Sequence, residues 1–77
     1  MEELLAYLAR TLVDHPDEVD VEVFEEDDGT VVLELHVADD DVGKVIGRSG
    51  RTVNALRTVV RASSVKHGRR VLVDVVD

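Results

Sequence analysis

The chain has 77 residues, which allows one domain at most, and a domain of that size buries only about 60% of the surface its unfolded form exposes. It has no cysteine, which excludes disulfides and thiolate metal sites and fits a reducing, cytoplasmic setting. The net charge of −8 ordinarily argues against a nucleic-acid partner, while a hydrophobic share of 44% fits a globular domain rather than a disordered chain.

The opening stretch, MEELLAYLAR, is acidic and amphipathic, and it reads as neither a signal peptide nor a membrane span. Leu4, Leu5, Leu8, Leu12 and Val13 recur at helical spacing and predict a helix from about Glu2 to Asp14. His15-Pro16 ends it, because the residue before proline is pushed out of the helical region. Val19, Val21 and Val23 then alternate with Asp20, Glu22 and Phe24, the two-residue period of a half-buried strand. Asp27-Asp28-Gly29 marks a tight turn. Val31, Leu33, Leu35 and Val37 alternate with Val32, Glu34 and His36, so the two strands read as a hairpin.

Asp39, Asp40 and Asp41 offer carboxylates to cap a short helix that carries Val42, Val45 and Ile46 and stops at Gly47. A longer helix runs from about Arg51 to His67, with Val53, Leu56, Val59 and Val60 as its buried stripe and Gly68 as its C-cap. Val71, Val73 and Val75 alternate once more as a last strand. The order is α-β-β-α-α-β. Helices on one face of a three-stranded sheet make a two-layer α+β domain.

Two helices therefore meet at Gly47-Arg48-Ser49-Gly50. Glycines there permit unusual backbone angles and keep side chains away from a ligand. The second helix starts with unpaired N–H groups whose dipole favours an anion, and Arg48 and Arg51 add full charges beside them. The corner is thus expected to present bare main-chain amides to a phosphate. On the helical wheel Asn54, Arg57 and Arg61 fall together next to the apolar stripe, and Val45 and Ile46 can give bases an apolar floor while sharing in the core.

The charge is distributed to match. Met1 to Asp41 carries fifteen acidic residues and one basic, Arg10. The 32 residues from Val42 to Val73 carry eight basic residues and no acidic one. Screening confines surface electrostatics to about 8–10 Å, so a polyanion docking on one face feels mostly that face.

Other chemistries fail on spacing. Gly43 and Gly47 lack the Gly-Lys-Ser/Thr of a phosphate-binding loop, and only Gly47-x-x-Gly50 of a dinucleotide fingerprint is present. A calcium loop begun at Asp39 would place Gly50 where glutamate is needed. His15, His36 and His67 show no ligand spacing and read as surface or strand-face residues, and Ser49, Ser63 and Ser64 have no evident base. No catalysis, cofactor or metal is expected. Tyr7 and Phe24 are the only aromatics, too few for binding modes built on stacked bases.

Val45-Ile46-Gly47-Arg48-Ser49-Gly50-Arg51-Thr52-Val53 resembles the Ile-Gly-x-x-Gly-x-x-Ile core of KH domains, and the element order resembles their type II, prokaryotic variant. With Asp41-Val42-Gly43-Lys44 before it and Arg57-Thr58-Val59-Val60 after it, nearly the whole chain is similar to the small bacterial KhpA family. The resemblance implies one KH domain over residues 1–77 that binds short single-stranded RNA. The loop Gly47, Arg48, Ser49, Gly50 would clamp the backbone of about four nucleotides. Lys44 and Arg51 would flank it, and Val45, Ile46 and Val53 would line the groove. It also implies a homodimer, pairing with a larger KH-containing bacterial protein of the KhpB type, and a regulatory or RNA-chaperone role linked to cell elongation and division. The rival reading is a dimerisation or adaptor module acting through protein partners. It would use Val59, Val60 or the sheet edge, with RNA incidental.

Overall fold

The last strand to appear in the sequence pairs with the second, not the first. In the computed structural model, which describes residues 1–64 and 68–76, β1 (Asp20–Glu25), β2 (Val31–His36) and β3 (Val71–Val76) form one sheet in the order β1-β2-β3. β1 and β2 are antiparallel, with Val23 opposite Leu33; β2 and β3 are parallel, with Leu33 opposite Val73. A parallel pair needs a crossover, and the central helices supply it.

The hairpin is closed locally. Gly29 takes φ 88°, the Asp28 carboxylate accepts the Thr30 amide at 2.9 Å, and the Glu26 amide donates to the Thr30 carbonyl at 2.8 Å. In β2 the alternation is realised in full: Val31, Leu33 and Leu35 are buried, and Val32, Glu34 and His36 are half-buried on the outer face. β1 departs from expectation. Val19, just before it, is buried and Val21 is half-buried, but Val23 is 46% exposed. It is an edge strand, and its start, Asp20 and Val21, lines a hollow shared with α1.

Helix α1 (Glu2–Leu12) buries Leu5, Ala6 and Ala9 against the sheet. It ends two residues earlier than its apolar spacing suggests, with Val13 extended at φ −103°. The cause is Asp41. Its carboxylate accepts the amides of Asp14 at 3.1 Å and His15 at 3.0 Å and draws the chain out of the helix. Asp41 is only 1% exposed. The capping expected of this triple aspartate is therefore corrected: Asp39–Asp41 form a single 3₁₀ turn, and the next helix has no side-chain cap. Burial raises the Asp41 pKa, but the two amides and the nearby His15 and Lys44 charges outweigh it and hold the carboxyl below its ordinary value.

Helix α2 (Val42–Ile46) and helix α3 (Arg51–Ser64) lie on the same face as α1. The buried stripe of α3 is Val53, Leu56, Val60 and Ser64; Val59, expected within it, is 44% exposed. The predicted continuation to His67 lies outside the described residues, and Gly68 has the left-handed φ of 63° expected of a cap. Leu5, Leu33, Leu35, Val45 and Val60 are the fully sequestered apolar centre, each contributing about 1.5–3 kcal/mol by burial. The architecture is α+β, with the order α-β-β-α-α-β and helices over one face of a three-stranded sheet.

Candidate nucleic-acid interface

α2 lasts five residues and stops where Gly47 turns to φ 75°, ψ 173°. The chain then makes one 3₁₀ turn, Arg48–Gly50, and enters α3. Within that turn Ser49 sits at φ 57°, ψ 27°, a left-handed conformation that side chains resist, and Gly50 follows at φ 76°. Three of the four residues of the corner, Gly47, Ser49 and Gly50, thus have positive φ, and Arg48 and Ser49 are exposed.

The main chain of the corner is less bare than the sequence implies. The Gly47 amide donates to Gly43, the Gly50 amide to Gly47 and the Arg51 amide to Arg48. These bonds arise because the short turn folds back on itself. Arg48 and Ser49, exposed at the tip, are not the donors of these three bonds.

The loop opens onto a groove. Asn54 stands closest to Gly50, its Nδ2 at 3.8 Å from where a Cβ would sit. Asn54, Arg57 and Arg61 form one wall on α3, and Leu72, Val73 and Asp74 of β3 form the other, around a space of about 350 Å³. A second hollow, of about 340 Å³ and sharing Arg61 and Leu72, continues it to Arg69 and Arg70. Arg57 is fixed across the first: Nε and Nη2 both donate to the Val73 carbonyl at 3.1 Å, and Nη1 donates to Asn54 Oδ1 at 3.2 Å. Among the described residues, Arg48, Arg51, Arg57 and Arg61 pair with no carboxylate, whereas Arg69 lies 3.9 Å from Glu25.

Gly47, Arg48, Ser49, Gly50, Arg51, Asn54, Arg57 and Arg61 thus share one side of the molecule. The other expected site residues are placed differently. Val45 is fully buried and Val53 is 4% exposed, so both belong to the core and present no floor to a ligand; Ile46 is half-buried. Lys44 is held by Asp14 and lies 3.6 Å from Asp41, and the hydrogen bond to Asp14 keeps its pKa above the ordinary lysine value. Its charge is answered by the acidic half of the chain.

Thr58, Leu72, Arg69, Arg70 and the Val73 main chain belong to the groove and were not among the residues singled out. The two arginines were visible as part of the basic segment. Their position beside α3 follows only from the parallel pairing of β3 with β2.

A glycine-bounded turn between two helices, set on an α-β-β-α-α-β framework, defines a KH domain. Its sequence assigns it more narrowly. Residues 2–75 match the family described as KhpA/KhpB, KH domain, and the chain belongs to that family. The RNA-binding protein KhpA of Halalkalibacterium halodurans is 53% identical over the full length of both chains. Its namesake in Clostridium acetobutylicum is 49% identical, covering 99% of this chain and 100% of that one. The Bacillus subtilis protein of the same name is 42% identical over 100% of this chain and 94% of its own. The fold is also found in the crystal structure of Era in complex with MgGDPNP and nucleotides 1506–1542 of 16S ribosomal RNA. There the TM-score is 0.67 at 19% identity, over 96% of this chain and 28% of Era.

Proposed function

We propose that the protein is a non-catalytic binder of short single-stranded RNA, acting as a post-transcriptional regulator or RNA chaperone in the cytoplasm. The observation that carries this is the Gly47–Gly50 turn, whose exposed Arg48 and Ser49 stand at the head of a groove walled by arginines free of carboxylate partners among the described residues. A phosphate at the tip meets the main-chain amides of the exposed turn and the Arg48 and Arg51 charges. The following nucleotides run along Asn54, Arg57 and Arg61. The KhpA relatives, named RNA-binding proteins, support the reading.

The test is titration of a labelled single-stranded RNA at several salt concentrations. Affinity falls steeply with salt, because each phosphate contact releases a counterion. Changing Arg48 and Ser49 together to Asp abolishes binding and leaves the far-ultraviolet circular dichroism unchanged. Undiminished binding by the double variant defeats the clamp assignment.

A second reading, self-association, has its own support. Leu8, Leu12, Ala55, Leu56 and Val59 line an apolar groove between α1 and α3, and Leu12 and Val59 are 39% and 44% exposed. A second copy of the chain, or a larger KH-containing protein of the KhpB type, is the partner proposed for it. Val60 takes no part, being fully buried. Two copies would also add the avidity of two grooves.

A further inference from the structure

β3 is an edge strand, and its free edge forms one wall of the groove. The carbonyls of Arg70 and Val76 accept the amides of Val31 and Val37, so the even-numbered residues of this strand turn their main chain toward β2. Alternation leaves the Val73 main chain pointing out of the sheet, where a base lying in the plane of the strand would meet it. An open strand edge offers a base one donor and one acceptor. Here the acceptor is occupied, because Arg57 donates two hydrogen bonds to the Val73 carbonyl. What remains is the Val73 N–H beside the Arg57 guanidinium: donor next to donor. Asp74, the one carboxylate lining this space, alternates to the outer face of the sheet.

We propose that Arg57, by covering the Val73 carbonyl, sets the base preference of the groove in favour of cytosine and against adenine. Unpaired cytosine presents two adjacent acceptors, N3 and O2, to this pair of donors. Adenine sets its one amino donor between N1 and N7, so either of those edges pairs a donor with an acceptor and needs the carbonyl that Arg57 has taken. Uracil alternates acceptor and donor and falls between. The inference rests on the reading of the groove as an RNA site and adds to it which base is read and by which side chain.

The experiment compares oligo(C), oligo(U) and oligo(A) RNA of equal length, by fluorescence anisotropy at one salt concentration, on the intact chain. The parent binds oligo(C) on the order of tenfold more tightly than oligo(A). Arg57→Met uncovers the carbonyl and brings oligo(A) level with oligo(C) or above it. Arg57→Lys, which still donates there, keeps the parent order. A parent that binds all three equally, with binding still lost in the Arg48/Ser49 double variant, overturns this inference and leaves the RNA reading standing. A parent that binds none of them overturns both. If Arg57→Met unfolds, the parent ratio and the Arg57→Lys order decide the matter alone.

Discussion

A Cβ on Gly47 would lie 2.2 Å from Oγ1 of Thr52 and 2.9 Å from its backbone nitrogen. The first turn of α3 is packed directly onto the end of α2, and rotating the Thr52 side chain relieves nothing, since the main chain is also in the way. At Gly50 the same test finds only Asn54 Nδ2, at 3.8 Å. The two glycines of the loop therefore do different work: the first permits a close approach, and the second permits only a backbone angle. Gly47→Ala is expected to cost about 2–4 kcal/mol, combining left-handed strain with overlap. Gly50→Ala is expected to cost about 1–2 kcal/mol, from strain alone. Urea unfolding of the two variants checks this, and equal losses would refute the distinction.

Asp41 ties its own turn to the end of α1 through two amides, and its lowered pKa fixes the direction of its pH dependence. A group with a depressed folded pKa contributes stability above its unfolded value, here about 3.8, and loses that contribution as pH falls through the lower folded value. Asp41→Asn should reduce Tm at neutral pH, and the difference from the parent should shrink below about pH 4. His15 acts in the opposite sense. Its hydrogen bond and ion pair with Asp40, at 3.2 Å, raise its pKa. Its contribution is complete below about 6.5 and is lost as pH rises through the raised value. Tm measured from pH 3 to pH 9 for the parent, Asp41→Asn and His15→Gln separates the two windows. A parent–Asp41→Asn difference that does not begin to shrink as pH falls below about 3.8 contradicts the assignment.

Lys44 and Arg61 test whether charge alone or its placement governs binding. Both lie in the basic segment, but Lys44 faces Asp14 and Asp41 while Arg61 lines the groove. Arg61→Ala should weaken RNA binding and lower the slope of log affinity against log salt by about 0.7, the value of one single-strand phosphate contact. Lys44→Ala should leave the slope unchanged. If both variants lower it equally, the strand path is broader than the groove.

The helices, strands and corner were legible because each rests on a local signal: apolar spacing in α1 and α3, alternation in β2, and paired glycines before a basic helix. What was not legible depended on distant partners. Nothing around Asp41 announces that its carboxylate serves the amides of Asp14 and His15 rather than its own helix. Val45 sits beside the loop in sequence, yet the short α2 turns it fully inward. Val59 fits the apolar stripe of α3 on a wheel, but the core ends at Leu56 and Val60, and Val59 falls on the flank facing α1. Arg57 reads in the sequence as part of the basic edge it forms with Asn54 and Arg61. Its hold on Val73 required knowing that β3 is an edge beside α3.

That flank of α3 supplies the last test. Val59 and Leu12 expose apolar surface around a hollow lined almost wholly by carbon, with Leu8 and Leu56 at its base. Burying one such side chain yields about 1.5–3 kcal/mol, and each 1.4 kcal/mol is tenfold in a dissociation constant. Association through this face therefore makes the apparent mass rise with concentration, and Val59→Asp should weaken it at least tenfold. Val59 is remote in role from the loop, so the variant should bind a short RNA as the parent monomer does. Light scattering across a hundredfold concentration range gives the measurement. A parent that stays monomeric throughout removes self-association, and a parent that associates equally well with Asp at residue 59 moves the interface elsewhere, with the exposed Val23 and Phe24 of the β1 edge strand the next place to look.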